Sequence, residues 1–234
     1  MMSALDPASR IVVALDVEDL DQGVGLARLL KGRVGWLKVG LELFVREGPR
    51  AVAAIAEHAP VFLDLKLHDI PTTVARSVAS AAELEAGLLT LHASGGPTML
   101  RAAADAAAEA SDGRLRLLAV TVLTSTSDDE LATMGIEDAQ VQVPRLAHLA
   151  ARSGIDGIVC APADLTRVRA TVGPNTLVVT PGIRAQSSQA DDHARAMSAA
   201  AAVAAGADLL VIGRPITRAD DPVAAVEQIV ATLA

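Results

Sequence analysis

Short apolar runs and longer amphipathic segments alternate along the whole chain. The apolar runs cover residues 11–15, 34–39, 61–65, 88–92, 115–123, 157–160, 177–180 and 208–212. Their unbroken apolar character predicts strands that are buried on both faces, as in a parallel sheet. Most of the intervening segments carry apolar residues three and four positions apart, which predicts amphipathic helices. These segments are 20–31, 42–58, 72–86, 97–110, 143–153, 162–171, 194–205 and 221–233.

Eight strand–helix units in 234 residues predict an α/β fold, a (β/α)8 TIM barrel that forms a single domain over residues 1–234. No Ser/Pro-rich linker and no block of like charge divides the chain. The main alternative is a doubly wound open sheet, which usually has fewer strands and often a glycine-rich turn after the first. Here the first run ends in Leu15-Asp16-Val17 without such a turn, which favours the barrel.

Composition narrows the class of function. A net charge of −8 argues against a broad nucleic-acid surface, and 1% aromatic residues leave few platforms for stacking bases or for a lipid interface. One cysteine excludes an internal disulfide and fits a reducing compartment. The most apolar window, 196–212, is interrupted by Ser198, Gly206 and Asp208, so it predicts a helix, a turn and a strand. We therefore expect a cytoplasmic protein without a signal peptide and without membrane or nucleic-acid partners.

Charged residues gather at the predicted ends of the first three strands. Asp16 closes the first run, Lys38 lies within the second, and Asp64, Lys66 and Asp69 follow one another at the third. In TIM barrels catalytic groups lie at these carboxyl ends. Because alternate residues of a strand share a face, we expect Asp64 and Lys66 to point the same way. Opposite charges about 4 Å apart attract by about 4 kcal/mol at an effective dielectric near 20, enough to keep both ionised.

Simpler interpretations of these charges stay open. Asp64 and Lys66 could form a purely structural ion pair. Asp69 could cap the helix that begins near Pro71. If Lys38 joins the pair, however, ammonium and carboxylate groups would alternate in a site that excludes water, and such an array holds a fixed ammonium ready for chemistry.

The last two strand ends predict an anion site. Thr180-Pro181-Gly182-Ile183-Arg184 follows the seventh run, and Gly213-Arg214 follows the eighth. Glycine turns expose backbone N–H groups, an arginine fork binds phosphate, and TIM barrels commonly bind phosphate at this position. We expect no metal site, because no close His/Cys/Asp cluster is present and Lys38 and Lys66 stand where a cation would need carboxylates.

Seven short motifs mark these strand ends. In chain order they are VALD (13–16), LKVG (37–40), FLDLKLHDIPTT (62–73), HASGG (92–96), VTVLTS (120–125), TPGIR (180–184) and VIGRP (211–215). Together, in this order and spacing, they resemble the bacterial type of the orotidine 5′-phosphate decarboxylase family. The resemblance implies a TIM-barrel homodimer with shared active sites. It also implies conversion of orotidine 5′-phosphate to uridine 5′-phosphate and CO2, the last step of de novo pyrimidine synthesis, with no metal or organic cofactor.

The resemblance further implies a role for each matched residue. Lys66 would protonate C6 of the pyrimidine, Asp64 would lie beside the departing carboxylate, and Lys38 would complete the array and contact the ribose. The other implied contacts are Asp16 with the ribose, Thr124 with the base, Pro181 and Arg184 along the ligand, Gly213 and Arg214 with the phosphate, and the catalytic Asp69 with Ile70 and Thr73 in the partner's site. The family usually has a glutamine, bridging phosphate and base, where this chain has His193; Gln189 could substitute for it.

Rival functions also fit part of the pattern. A Mg²⁺-dependent sugar-phosphate decarboxylase or aldolase of the same superfamily shares the Asp-x-Lys-x-x-Asp spacing but typically has a carboxylate where Lys38 stands. A phosphate-binding isomerase barrel is a more distant enzyme rival. A non-catalytic barrel that binds nucleotides would be free to lose the charged residues, yet Lys38, Asp64, Lys66 and Asp69 are all present.

Overall fold

The eight predicted strands close into a barrel. A computed structural model describes residues 6–136, 138–184 and 197–233. Its strands are β1 Ile11–Ala14, β2 Trp36–Gly40, β3 Val61–Leu67, β4 Leu88–His92, β5 Arg116–Val120, β6 Gly157–Val159, β7 Leu177–Pro181, β8 Ile183–Arg184, β9 Met197–Ser198 and β10 Leu209–Ile212. All barrel pairs are parallel, in the order β1-β10-β7-β6-β5-β4-β3-β2, and β2 pairs with β1 to close the ring. Strands β8 and β9 pair with each other outside the barrel.

Helices cover the outside of the barrel. They are α1 Leu20–Leu30, α2 Leu41–Glu47, α3 Pro49–Ala56, α4 Pro71–Ala82, α5 Gly96–Ser111, α6 Asp128–Thr133, α7 Ala139–Arg152, α8 Leu165–Thr171, α9 Ala199–Ala204, α10 Arg214–Thr217 and α11 Pro222–Ala231. Short 3-10 turns occupy Pro7–Arg10, Ala93–Gly95 and Pro162–Asp164. Within the described ranges, no helix has the length and apolar character needed to cross a bilayer.

Several helix boundaries differ from the prediction. The segment 42–58 is two helices, because Gly48 adopts a φ of 59° after α2 and Pro49 begins α3. A left-handed glycine ends a helix, and proline is favoured at the first position of the next. Helix α7 begins at Ala139, earlier than the expected residue 143, and the short helices α6 and α10 were not predicted. Of the predicted helix over 194–205, residues 194–196 lie outside the described residues, Met197–Ser198 form strand β9 instead, and α9 begins only at Ala199.

Two apolar clusters stabilise the barrel. The larger lies between strands and helices, where α5, for example, buries Met99, Leu100, Ala103 and Ala107 along one face. The smaller fills the barrel interior with Val12, Ala14, Phe62, Leu88, Leu118, Val179, Leu209 and Val211. Burying each large apolar side chain contributes about 1.5–3 kcal/mol. The interior is therefore a packed core, and it supports whatever lies at the carboxyl ends of the strands.

Candidate active site

A polar layer lies directly above the apolar interior, toward the carboxyl ends of the strands. Side chains two positions apart on a strand point to the same face. Each of four interior residues is followed, two positions later along the chain, by a polar residue. The pairs are Ala14 and Asp16, Trp36 and Lys38, Phe62 and Asp64, and Leu88 and Thr90. Strands β1, β2, β3 and β4 are consecutive neighbours in the barrel, so these four side chains converge. Lys66 follows Asp64 on β3 and completes the layer.

Ammonium and carboxylate groups alternate across this layer. The Nζ atom of Lys38 lies 3.3 Å from Oδ1 of Asp16 and 3.4 Å from Oδ2 of Asp64. The Nζ atom of Lys66 lies 2.8 Å from Oδ1 of Asp64. Each oxygen of Asp64 thus faces a different lysine. The sequence prediction that Lys38 joins the pair is confirmed in position, and an isolated Asp64–Lys66 pair is not what the structure contains.

Asp64 lies at the centre of this array and carries a perturbed pKa. Its side chain is 13% exposed and that of Lys38 is 10% exposed. Burial disfavours the ionised carboxylate, but attraction by the Lys38 and Lys66 ammonium groups and hydrogen bonds from Lys66 and Thr90 outweigh that cost. The pKa of Asp64 consequently falls below its usual value. Asp64 therefore keeps its negative charge throughout the neutral range, and the lysines have a permanent counter-charge.

The backbone at Lys66 departs from a regular strand. Its φ is 52°, in the left-handed region that residues with a side chain rarely adopt. The register between β3 and β4 also shifts between Leu63 and Leu67, which marks a bulge. Bulges next to active sites redirect a side chain, and strained residues cluster at functional sites. Simple alternation correctly predicted that Asp64 and Lys66 meet, but it did not predict that Lys66 leaves the extended conformation.

Thr90 is a site residue that the sequence prediction missed. It is 1% exposed. Its hydroxyl accepts a hydrogen bond from the Lys66 backbone N–H at 2.9 Å and donates one to Oδ1 of Asp64 at 2.8 Å. The available signal was weak: a single hydroxyl within the aliphatic run Leu-Leu-Thr-Leu, where threonine is also an ordinary strand former.

Two glycines lie beside the charged groups. A Cβ atom on Gly40 would lie 3.0 Å from Nζ of Lys38 and 3.2 Å from Oδ1 of Asp16, closer than side chains normally approach. A Cβ atom on Gly213 would lie 3.8 Å from Oδ2 of Asp16, an ordinary contact distance. A side chain at Gly40 would therefore require the Lys38 or Asp16 side chain to shift by a few tenths of an ångström, while the Gly213 distance shows that the end of β10 lies beside Asp16.

A histidine pair borders the array. His92 ends β4, and its ring centroid lies 5.4 Å from that of His68 with the planes tilted by 40°. Burial lowers the pKa of His92, and the charges of His68 and Lys66 lower it further. The His92 imidazole is consequently neutral at neutral pH and adds no positive charge beside Lys66.

The other residues predicted to bind the ligand lie at the same carboxyl end of the barrel, on strands β7 and β8 and in the loops after β5 and β10. Thr124 lies in the loop after β5 and is exposed, Pro181 ends β7, and Arg184 belongs to strand β8. Gly213 precedes α10, and the exposed Arg214 begins it. The predicted contacts of the Arg184 side chain and of His193 fall outside the described residues. The structure thus brings the phosphate candidates Gly213 and Arg214 to the carboxyl end of the barrel.

The residues predicted to reach a partner subunit are exposed beyond β3. Asp69, Ile70 and Thr73 all lie on the surface, and Ile70 is 65% exposed. Asp69 does not cap α4, because the cap position is Ile70 and the Asp69 carboxylate accepts the Ile70 N–H instead, at 2.7 Å. Among the described residues, no ion pair joins Asp69 to Lys66 of the same chain. Nor do three or more His, Cys, Asp or Glu side chains of that part of the chain form a group able to hold a metal ion.

Comparison with known proteins places the chain in a family. The sequence profile of the "Orotidine 5′-phosphate decarboxylase / HUMPS family" matches residues 9–229. The chain belongs to this family. Its relatives include a protein of Trichlorobacter lovleyi named orotidine 5′-phosphate decarboxylase, 48% identical over 98% of this chain and 97% of that protein. A protein of the same name from Thermobifida fusca is 48% identical over 97% of this chain and 96% of its own length.

A solved structure confirms the fold of this family member. The crystal structure of orotidine 5′-phosphate decarboxylase from Lactobacillus acidophilus matches with a TM-score of 0.83 and 36% sequence identity, over 95% of this chain and 98% of that chain. The predicted TIM barrel is therefore confirmed both by the strand topology and by a family neighbour. The chain thus has the barrel of the orotidine 5′-phosphate decarboxylase family along nearly its whole length.

Proposed function

We propose that this protein decarboxylates orotidine 5′-phosphate to uridine 5′-phosphate and CO2, the last step of de novo pyrimidine synthesis. One observation carries the proposal: Lys38, Asp64 and Lys66 form a connected array at the carboxyl end of the barrel, in a chain whose relatives are named for this reaction. The whole chain would act as one catalytic domain.

The reaction needs electrostatic stabilisation more than any other aid. When the bond between C6 and the carboxylate breaks, CO2 leaves and the electron pair stays in an in-plane orbital at C6. The ring π system overlaps poorly with that orbital, so no electron sink disperses the charge. A preorganised ammonium group aimed at the developing charge supplies the stabilisation instead. In our proposal that group is Lys66, held 2.8 Å from Asp64.

Lys66 would also complete the reaction as a general acid. A proton passes from its Nζ to C6, and the electron pair left by CO2 becomes the new C6–H bond. Lys66 then regains a proton from water, which its 35% exposed side chain can reach. Asp64 keeps its charge beside the site because its pKa is lowered, so it both orients Lys66 and opposes the substrate carboxylate.

The remaining predicted residues would hold the nucleotide away from the reacting bond. Lys38 and the 64% exposed Asp16 would bind the ribose, and Thr124 the base. Pro181, Arg184 and His193 would line the ligand, and Gly213 with Arg214 would bind the phosphate. Contacts remote from C6 supply binding energy that serves catalysis, so losing them should lower the rate as well as the affinity.

We further propose a homodimer in which each protomer completes its partner's site. The exposed Asp69, Ile70 and Thr73 support this, because an exposed isoleucine beside a carboxylate that forms no ion pair with the described residues suits a protein contact. Asp69 of one protomer would then face Lys66 of its partner. A cytoplasmic location agrees with the single cysteine, Cys160, whose burial raises its pKa to about 12 and leaves it unreactive.

Metal-free catalysis is part of the proposal. Both Asp16 and Asp64 already face the Lys38 ammonium, at 3.3 and 3.4 Å, so a divalent cation between them would lie against a fixed positive charge. Magnesium prefers oxygen ligands with little competing positive charge. This arrangement disfavours the Mg²⁺-dependent sugar-phosphate rival, which shares the Asp-x-Lys-x-x-Asp spacing of β3.

A spectrophotometric assay tests the function. Protein treated with a chelator and dialysed should consume orotidine 5′-phosphate, measured as loss of its ultraviolet absorbance, at the same rate as untreated protein. Orotidine without phosphate is the matched control and should react far more slowly. Turnover that appears only after Mg²⁺ is added would support the rival, and tight binding of uridine 5′-phosphate without turnover would support a non-catalytic barrel.

A further inference from the structure

The hydroxyl of Thr90 on β4 contacts two groups of β3, the backbone N–H of Lys66 and the carboxylate of Asp64. It accepts the backbone N–H of Lys66 at 2.9 Å and donates to Oδ1 of Asp64 at 2.8 Å. The same Oδ1 accepts the ammonium of Lys66 at 2.8 Å. One buried hydroxyl on the neighbouring strand therefore contacts both the backbone and the counter-ion of the proposed proton donor.

The first of these bonds replaces a bond that the sheet cannot make. The register between β3 and β4 shifts between Leu63 and Leu67, and Lys66 within that interval has a φ of 52°. A buried backbone N–H without a partner is costly, and a left-handed residue persists only where its surroundings hold it. Thr90 is 1% exposed, so its hydroxyl takes the place that water or a ladder carbonyl would otherwise fill.

The second bond sets the direction of the Asp64 carboxylate. A hydroxyl has one proton and two lone pairs. A lone pair of the Thr90 oxygen accepts the Lys66 N–H, and the single proton is donated to Oδ1 of Asp64. Oδ1 then faces Thr90 and Lys66, and Oδ2 is left to Lys38 at 3.4 Å. Rotation of the carboxylate would break this division and move both lysines.

We infer that Thr90 is a positioning residue for decarboxylation: it fixes the Lys66 bulge and the Asp64 carboxylate, and thereby the approach of the Lys66 ammonium to C6. This inference rests on the proposed function. Thr90 acts through Lys66 and Asp64. Positioning matters because a misplacement of about 1 Å lowers a rate by roughly 100-fold.

The test compares three substitutions under identical conditions. Thr90→Val keeps the shape but removes the hydroxyl, and Thr90→Ser keeps the hydroxyl but removes a methyl group. Thr121→Val is the matched control, because Thr121 is also a buried threonine, 4% exposed, but donates only to the Val159 carbonyl, at 2.9 Å. For each variant we would measure kcat, KM, the Kd for uridine 5′-phosphate and the melting temperature.

Thr90→Val should lower kcat by roughly 10- to 100-fold while the Kd for uridine 5′-phosphate stays within about threefold. Thr90→Ser should restore kcat to within about threefold of wild type, and Thr121→Val should leave it within about twofold. Should Thr90→Val fail to fold, Thr90→Ala carries the same expectation. A kcat within twofold of wild type in either hydroxyl-free variant, or losses of kcat and product affinity in equal measure, would overturn the inference. Wild-type protein inactive on orotidine 5′-phosphate would instead contradict the proposed function.

Discussion

The interior of this barrel contains two layers of opposite character on the same strands. In the lower layer Ala14, Phe62 and Leu88 pack with side chains from the other strands into an apolar core. Two residues further along, Asp16, Asp64 and Thr90 form a polar layer with Lys38 and Lys66. The same hydrogen-bonded strands carry both layers. Along each of these strands, two residues therefore separate a side chain that stabilises the core from one that belongs to the site.

The upper layer depends on the lower layer for its support. Charges such as Lys38 and Asp64 are nearly buried, and burial of unpaired charge is strongly unfavourable. They persist because each is paired and because the core below fixes the strands that carry them. The upper layer also contains an irregular backbone position, the left-handed Lys66 on β3, whereas the register of β4 with β5 is continuous from Leu88 to His92.

The largest effect should come from removing the ammonium in the upper layer. Lys66→Ala is expected to fold normally but to lose roughly 10⁴-fold or more in kcat, since it removes both a general acid and the charge that stabilises C6. Steady-state assay and thermal melting would measure the two properties. Lys31→Ala, which removes an exposed lysine bonded only to the Glu57 carbonyl, is the control. Retention of more than about a tenth of the activity would refute the role of Lys66.

The next effect concerns how charge pairing stabilises the upper layer. Asp64→Asn leaves Lys38 with Asp16 alone and should lower the free energy of unfolding by about 3–5 kcal/mol at pH 7. Because the pKa of Asp64 is lowered on folding from 3.8, its stabilisation is complete above that value and is lost as the pH falls below it. Denaturant titrations at pH 7 and pH 3 should therefore show the difference between wild type and variant shrinking in acid.

Asp16→Asn is the matched control for that titration. Asp16 faces the same ammonium but is 64% exposed, so its loss should cost less than about 1 kcal/mol. A stability difference for Asp64→Asn that stays constant between pH 7 and pH 3 would show that Asp64 acts through packing and not through its charge.

A smaller effect, on ligand affinity, is expected at the rim of the barrel outside the interior layers. Arg214→Ala at the rim should weaken binding of uridine 5′-phosphate by roughly 10- to 100-fold, the value of a charge-assisted hydrogen bond, and leave binding of uridine nearly unchanged. Calorimetric titration with both ligands measures this. Arg218→Ala, an exposed arginine just past α10, should change neither affinity. Equal losses for nucleotide and nucleoside would remove Arg214 from the phosphate site.

The smallest effect on activity should follow from damage to the lower layer. Leu118→Ala on β5 creates a cavity in the interior core and should lower the free energy of unfolding by about 2–5 kcal/mol. Its kcat/KM at 25 °C should stay within about twofold of wild type, because the Leu118 side chain packs in the apolar lower layer, although its backbone is in register with Thr90. Denaturation and steady-state kinetics on the same preparation measure both. A large loss of kcat at unchanged stability would show that the two layers are not separable.

Much of the fold could be predicted because its signals are local. Unbroken apolar runs, helical spacing and charges at strand ends predicted eight strands, the barrel, and the proximity of Lys38, Asp64 and Lys66. The division of 42–58 at Gly48-Pro49 was visible in the sequence but was outweighed by a continuous helical pattern. Helix α6 was missed although Ser127 and Glu130 form a capping box, because six residues are too few for a periodic signal.

The sequence by itself determined that eight apolar runs alternate with helices and which charged residues end the first three runs, since both are local patterns. Only the tertiary structure decided how these residues meet. The bulge at Lys66, the hydroxyl of Thr90 across the sheet, and the separate lysine partners of the two Asp64 oxygens all depend on register between strands distant in sequence. Register is set by the packing of the whole barrel, so no local pattern contains it.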